Sequence, residues 1–260
     1  MADAIFDPLS NITLILAHRG ALRVSPQRFP SGRARLETVG NIIFCFLMMA
    51  VGVVIVAFAI QDLSSGGEKT KKFEIPAVVA AAVSFATKLA LFLYCWGLRN
   101  KYGQVRILWQ DHRNDLFING LGILTSVGGA KLAWWIDPAG AVVLSLGIMV
   151  LWWRTVVTEF MLVVGVAAHV DMQRLVTYVA LRHEPERIKG VDTVRVYYSG
   201  PRLIVEVDVV MENTTQLESA HDVAESLQYK LESLPDVERA YVHVDYETRH
   251  KPEHAYVKAL

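Results

Sequence analysis

Two segments repeat one spacing of acidic and amide residues within apolar surroundings. They are Asp3-xxx-Asp7-xxx-Asn11 and Asp111-xxx-Asp115-xxx-Asn119. A step of four residues returns a side chain to nearly the same face of an α-helix, so each motif lines one stripe of a helix. A carboxylate inside a membrane is costly and usually faces a partner, a cavity or an ion path. Four carboxylates on two such helices could converge on one divalent cation.

The ligand types bear on which cation would bind. Zinc sites favour histidine and cysteine, whereas carboxylates suit harder ions such as Mn²⁺. All four acidic positions are aspartate, which favours Mn²⁺ and leaves Fe²⁺ and Zn²⁺ as alternatives. His112 follows Asp111 directly, about 100° round the helix, and is not counted as a ligand. Asn11 and Asn119 either add carbonyl oxygens or pack helices together through hydrogen bonds.

One further charge, Lys88, lies deep within an apolar segment. Its ammonium either pairs with an aspartate of the cluster or reaches an interface on its long stem. We expect pairing, and count Lys88 with the two asparagines as auxiliary to the site.

Long apolar segments must position these residues, and the composition agrees, with 53% hydrophobic residues and a mean hydropathy of +0.31. A span of roughly 20 residues crosses the hydrocarbon core. Four spans are predicted: Val39–Ile60, Ile75–Leu98, Ile107–Trp135 and Asp137–Val157. Met1–Ala17 is predicted to be the second half of another. The formal net charge of +0 gives no indication of nucleic-acid binding.

Loop charges predict the orientation. Residues 19–35 are rich in arginine, and residues 99–106 form a second basic loop. Lysine and arginine favour the cytoplasmic side, although a lysine cluster at residues 69–72 weakens the contrast. The chain after about Gly165 is then cytoplasmic.

That C-terminal part has the pattern of a small α+β domain. Helical and alternating segments are predicted in this order: Val170–Arg182, Val191–Tyr198, Leu203–Met211, Gln216–Leu234 and Val237–Tyr246. Helix, two strands, helix, strand is the order of a ferredoxin-like half-barrel. Its core would be modest, so dimerisation would stabilise it.

Several motifs follow one another along nearly the whole chain: Asp3-xxx-Asp7, FPSGRARLETVG, QDHRND, WIDPAGA, VDTVRVYYSG, AHDVAESLQ and AYVHVDYE. Together they resemble the cation diffusion facilitators, most closely their manganese-type subgroup. The resemblance implies an α-helical membrane bundle, with about four and a half helices present here, plus a cytoplasmic ferredoxin-like domain. The implied domains are 1–165, transmembrane; 166–250, cytoplasmic and dimerising; and 251–260, a polar tail. Relative to the family, the first helix and the start of the second are expected to be missing.

The same resemblance implies two metal sites. The intramembrane site carries over to Asp3, Asp7, Asp111 and Asp115. The cytoplasmic positions carry over to Asp192, Asp208, His221, His243 and Asp245. His243 and Asp245 are two residues apart on a predicted strand and therefore share a face. The alternative for the cytoplasmic set is a group of surface polar residues at a dimer interface.

The expected function is Mn²⁺/H⁺ antiport by a homodimer, which exports the metal from the cytosol and needs no cofactor. The alternatives are transport of Zn²⁺ or Fe²⁺, a truncated non-transporting subunit that regulates a full-length transporter, and a membrane-anchored metal sensor. An enzyme is not expected, because the chain offers no nucleophile–base set and no glycine-rich phosphate loop. The expected location is an endomembrane (Golgi, vacuole or endosome), with the plasma membrane as alternative.

Overall fold

The computed structural model describes residues 2–23, 27–65, 75–131 and 134–247. The chain forms two compact units, Met1–Phe160 and Met161–Leu260. The side chains of Asp3 and Asp7, and the predicted tail 251–260, lie outside the described residues.

The first unit is built from long helices. They are α1 (Ala2–Ala21), α2 (Arg35–Ser64), α3 (Ile75–Leu98), α4 (Gly103–Lys131) and α5 (Ile136–Val164). Each predicted span overlaps one of these helices, and α3 has the predicted bounds. The predicted end of the third span, Ile107–Trp135, lies four residues beyond the end of α4 at Lys131. Helix α5 continues seven residues past the predicted end at Val157, and α1 continues four residues past Ala17. The reason is that backbone hydrogen bonding carries a helix through polar residues at which an apolar pattern stops.

Two of the described helical stretches are long and apolar enough to cross a membrane. They are Arg35–Ser64 and Pro138–Val164, and Val83–Leu98 is a shorter apolar helix. Their outward side chains are largely apolar and exposed, Phe58 and Val143 among them. Such surfaces suit contact with lipid.

Close helix crossings hold α1 and α5 against α2. A Cβ at Gly40 would lie 2.3 Å from the Cβ of Ala17 on α1, and a Cβ at Gly52 would lie 2.7 Å from Cγ of Met149 on α5. Small residues allow backbones to approach in this way. A cluster of apolar side chains fills the space between α1, α2, α4 and α5: Leu14, Phe44, Cys45, Met48, Ile107, Trp152 and Val156.

The second unit is the predicted α+β domain. Its elements are α6 (Val170–Leu181), β1 (Gly190–Ser199), β2 (Arg202–Val210), α7 (Leu217–Glu232) and β3 (Val237–Asp245). The sheet order is β1-β2-β3, with β1 antiparallel and β3 parallel to β2. Gly200 makes the predicted turn between β1 and β2 with a φ of 73°, a left-handed conformation that favours glycine.

The core of this unit lies on one face of the sheet. Val205, Val207 and Val209 alternate along β2 and are fully buried against Leu227 and Leu231 of α7. Since successive strand residues point to opposite faces, Glu206 and Asp208 lie on the other face. The two faces therefore differ in chemistry, and among the described residues of this unit the helices cover only the valine face.

Candidate metal centre

The α4 helix carries the second of the two acidic motifs as the spacing predicts. Asp111 and Asp115 lie one turn apart in the first half of the helix. The Asp111 side chain is buried, and that of Asp115 is 22% exposed. Two carboxylates on one stripe of a helix in a largely apolar bundle provide hard oxygen ligands in a place where water is scarce.

His112, which the sequence analysis did not count as a ligand, lies close to this pair. Each of Asp111, His112 and Asp115 offers one ligand atom, and the three atoms lie within 4.8 Å of one another. The 100° step describes positions round the helix axis, whereas the imidazole extends several ångströms beyond them and so reaches the aspartates. The exclusion of His112 as a ligand stays a prediction. The arrangement offers two oxygen ligands and one nitrogen.

The predicted pairing of Lys88 with an aspartate is confirmed. Its Nζ donates a hydrogen bond to Oδ2 of Asp115 at 2.5 Å, from α3 to α4. Both side chains are about one-fifth exposed, at 20% and 22%. The ammonium of Lys88 thus binds one oxygen of the Asp115 carboxylate and offsets its negative charge when no metal is bound.

Asn114 is a buried neighbour that the sequence analysis missed. It lies between the two aspartates in the chain and is 3% exposed. Its Oδ1 accepts hydrogen bonds from Nε and Nη2 of Arg113 at 3.4 and 3.2 Å. The signal for it was the position i+3 from Asp111, which returns to the same side of a helix. Asn11 and Asn119, the predicted auxiliaries, are half-buried, and their role stays a prediction.

Helix α1, which carries Asp3 and Asp7, lies next to α4. The Nε2 of Gln104 on α4 donates to the backbone oxygen of Leu14 on α1 at 3.2 Å. Leu14 and Ile107 also belong to the same buried apolar cluster. The two helices with acidic motifs are therefore neighbours.

The predicted ligands of the cytoplasmic domain are spread over both faces of the sheet, unlike the group on α4. The strand register pairs Asp208 with His243 and Val210 with Asp245, on the face of the sheet that the helices leave uncovered. Asp192 lies at a register irregularity between Val191 and Thr193. His221 is on α7, which packs against the opposite face, and its Nδ1 lies 3.4 Å from Oδ1 of Asp222.

Within the described ranges, the α4 group is the one place where three potential ligands come together. One chain does not assemble the five cytoplasmic residues into a single site. Their role as ligands stays a prediction.

Comparisons with known proteins agree with this architecture. Residues 1–162 match the family described as "Cation efflux transmembrane domain", and residues 171–247 match "Cation efflux protein, cytoplasmic domain". The chain is 38% identical to metal tolerance protein 3 of Oryza sativa subsp. japonica, over 97% of this chain and 62% of that protein. It is 36% identical to metal tolerance protein 10 of Arabidopsis thaliana, over 97% of this chain and 59% of that protein. The chain thus spans about three-fifths of the length of these relatives.

A solved structure, "Mode of Action of a Putative Zinc Transporter CzrB (Zn form)", matches at 22% identity and a TM-score of 0.30. The match covers 33% of this chain and 97% of that one. The two family matches follow each other along the chain as the two units do. They describe integral membrane proteins with a cytoplasmic C-terminal domain, a class of transporters rather than enzymes. As its motifs predict, the chain belongs to the cation efflux, or cation diffusion facilitator, family.

Proposed function

We propose that this protein carries Mn²⁺ out of the cytosol across a membrane in exchange for protons. The observation that carries the proposal is the group on α4, where Asp111, His112 and Asp115 hold ligand atoms within 4.8 Å beside the ammonium of Lys88. The names of the plant relatives, metal tolerance proteins, support a metal as the cargo.

The placement of α1 supports a four-aspartate site. Leu14 meets Gln104, so the C-terminal half of α1 lies beside the N-terminal end of α4. Paired contacts show that α1 runs antiparallel to α2, and that α2 and α4 both run antiparallel to α5. Helices α1 and α4 therefore run in opposite directions. Asp7 is seven residues before Leu14, and Asp111 is seven residues after Gln104. Each step covers about 10 Å of helix axis. Asp7 and Asp111 would then lie at one depth in the bundle, with Asp3 and Asp115 one turn further on.

The ligand set supports Mn²⁺ as the preferred cation. Oxygen ligands suit a hard divalent ion, and up to four aspartates would contribute them. The imidazole of His112 adds a nitrogen that Zn²⁺ and Fe²⁺ also accept. We therefore place Mn²⁺ first and expect measurable competition by Zn²⁺.

The charge of the site supports exchange for protons. Carboxylates that release a divalent cation into a largely apolar bundle are costly unless protons or another cation neutralise them. Lys88 offsets the negative charge of the Asp115 carboxylate. Protons from the far side of the membrane would neutralise the other carboxylates, so that metal and protons move in opposite directions.

We further propose that the protein acts as a homodimer, joined through its cytoplasmic domains, in an endomembrane such as that of the Golgi, vacuole or endosome, or in the plasma membrane. The uncovered sheet face presents Tyr241 and Arg239 on β3, both exposed. Aromatic and arginine side chains are enriched where protein surfaces meet.

The test is uptake of Mn²⁺ into proteoliposomes that contain the full chain, with and without a proton gradient. We expect uptake driven by an acidic lumen, abolished by a protonophore and only partly inhibited by equimolar Zn²⁺. Asp115→Ala should remove the uptake, whereas Asp171→Asn, at an exposed position on α6, should leave it unchanged. Uptake by Asp115→Ala at the wild-type rate would overturn the proposal.

A further inference from the structure

A second buried charge lies in the transmembrane unit, away from the metal centre. Glu159 on α5 is 1% exposed. Its Oε1 accepts a hydrogen bond from Nη2 of Arg106 on α4 at 2.8 Å, and its Oε2 accepts one from Nδ2 of Asn41 on α2 at 3.0 Å. One carboxylate therefore joins three helices.

The loss of either partner of Glu159 would destabilise the bundle. A buried carboxylate needs its partners, because removal of one of them leaves an uncompensated charge in a medium of low polarity. Asn41 is itself 4% exposed, and its Oδ1 has no hydrogen-bond partner within the described part of the chain. Its amide is thus held by the bond to Glu159. The three helix ends separate only if the ion pair opens.

Neighbouring contacts close the same end of the bundle. One turn along both helices, Oγ1 of Thr155 on α5 donates to Oε1 of Gln110 on α4 at 3.0 Å. Beside the ion pair, Ile107 and Phe44 are fully buried, and the Phe44 ring meets that of Trp152 edge to face at 5.7 Å. A layer of apolar side chains thus lies next to the buried charges.

This end of the bundle is the cytoplasmic one. The C-terminal end of α5 leads into the cytoplasmic domain, and the two basic loops precede α2 and α4. Along α4, Asp111 is five residues beyond Arg106, about 7.5 Å further into the bundle. A cation that reaches Asp111 from the cytosol has to pass the level at which α2, α4 and α5 are joined.

We infer that the contact of Glu159 with Arg106 and Asn41 is a cytoplasmic latch, which closes the route from the cytosol to the metal centre and opens when the metal enters or leaves on that side. The inference rests on the proposed transport function and adds the residues that gate it. Glu159 is a positioning residue here and is not assigned any contact with the metal.

The test uses Cys45 as a reporter, because it is fully buried in the apolar cluster one turn along α2 from Asn41. Cys95, the other cysteine, is replaced by alanine. A charged, membrane-impermeant thiosulfonate is added to the cytoplasmic face of membrane vesicles that contain the full chain, without metal. We expect Glu159→Gln and Arg106→Gln each to raise the labelling rate of Cys45 about tenfold, the effect of a shift of about 1.4 kcal/mol toward the open form.

Two matched variants distinguish opening of the latch from a general loss of helix packing. Arg106→Lys keeps the charge and should label at close to the parent rate. Arg154→Gln removes an exposed charge from the same helix as Glu159 and should have no effect. Arg106 is 44% exposed, so Arg106→Gln remains informative if Glu159→Gln does not fold.

Unchanged labelling in Arg106→Gln would overturn the latch, and so would equal acceleration by Arg154→Gln. The readout needs no metal flux. Failure of the latch can therefore be distinguished from failure of the transport proposal.

Discussion

The two sets of predicted metal ligands in this chain end up in contrasting arrangements. On α4, three potential ligands from one and a half turns of helix bring their atoms within 4.8 Å. In the cytoplasmic domain, His243 and Asp245 lie on the uncovered face of the sheet, and His221 is on a helix that packs against the other face. Proximity in sequence, on a helix, brings potential ligands together within one chain, whereas potential ligands on opposite faces of a sheet would need a second chain to meet or serve another purpose.

The largest expected difference between the two sets is the loss of Mn²⁺ flux when one predicted ligand is removed from each. We expect Asp111→Ala to reduce Mn²⁺ flux to the level of protein-free vesicles, because it removes a buried ligand in the membrane. His243→Ala should keep the flux within about twofold, since the α4 centre stays intact. The measurement is initial uptake under a fixed proton gradient, normalised to the amount of reconstituted protein. An equal loss in both variants would contradict the contrast.

A second test asks what stabilises the cytoplasmic domain. Leu227→Ala should destabilise it by about 2–5 kcal/mol, because the side chain is fully buried among the β2 valines. Calorimetric unfolding of the full chain measures this effect, with Tyr229→Ala, 62% exposed, as the control on the same helix. Chelation of metal should leave the unfolding midpoint of this domain unchanged. A fall on chelation as large as that of Leu227→Ala would show an ion bound there.

A third test sharpens the role of His112. Replacement by alanine removes the one nitrogen ligand of the α4 group. Zn²⁺ affinity should fall about tenfold, while Mn²⁺, which prefers the remaining oxygen ligands, should change less than about twofold. Competition between the two ions in an equilibrium binding assay measures both. Equal losses for the two ions would mean that His112 supports the fold of the site without selecting the metal.

The smallest effect concerns pH and the cytoplasmic domain. Burial, and then the positive charge of Lys230, lower the pKa of His183, whose Nε2 lies 2.8 Å from Oγ of Ser226. The unfolded chain therefore binds the proton more tightly than the folded one. This contribution to stability is present above pH about 6.5 and is lost as the pH falls through the lowered value.

His183→Asn should remove that dependence. The unfolding midpoint of the wild-type domain should fall slightly more between pH 7.5 and 5.5 than that of the variant. An identical fall in both proteins would contradict the assignment to His183.

Much of the fold follows from short-range patterns in the sequence. Alternation fixed β1, β2 and β3 to within a residue or two, and apolar runs located the long helices. Lys88 was paired correctly because an ammonium in an apolar segment needs an anion, and the aspartates were the nearest candidates.

What the sequence concealed are contacts between distant positions. Glu159 and Asn41 are 118 residues apart, and Glu159 and Arg106 are 53 apart. The predicted span ended at Val157 and left Glu159 outside, although α5 continues to Val164. A glutamate that follows a long apolar run was a usable signal, of the same kind as Lys88. The approach of His112 to the two aspartates depends on the length of its side chain, which the angle round the helix does not describe.

The central claim is that the α4 centre is where the metal binds, and the most direct test is to locate the ion. A structure of the full chain in lipid with Mn²⁺, obtained by electron microscopy or by anomalous scattering, would show it. We expect Mn²⁺ between Asp111 and Asp115, with Lys88 displaced from Oδ2. Mn²⁺ at His243 and Asp245, with Lys88 still bound to Asp115 and no ion on α4, would contradict it.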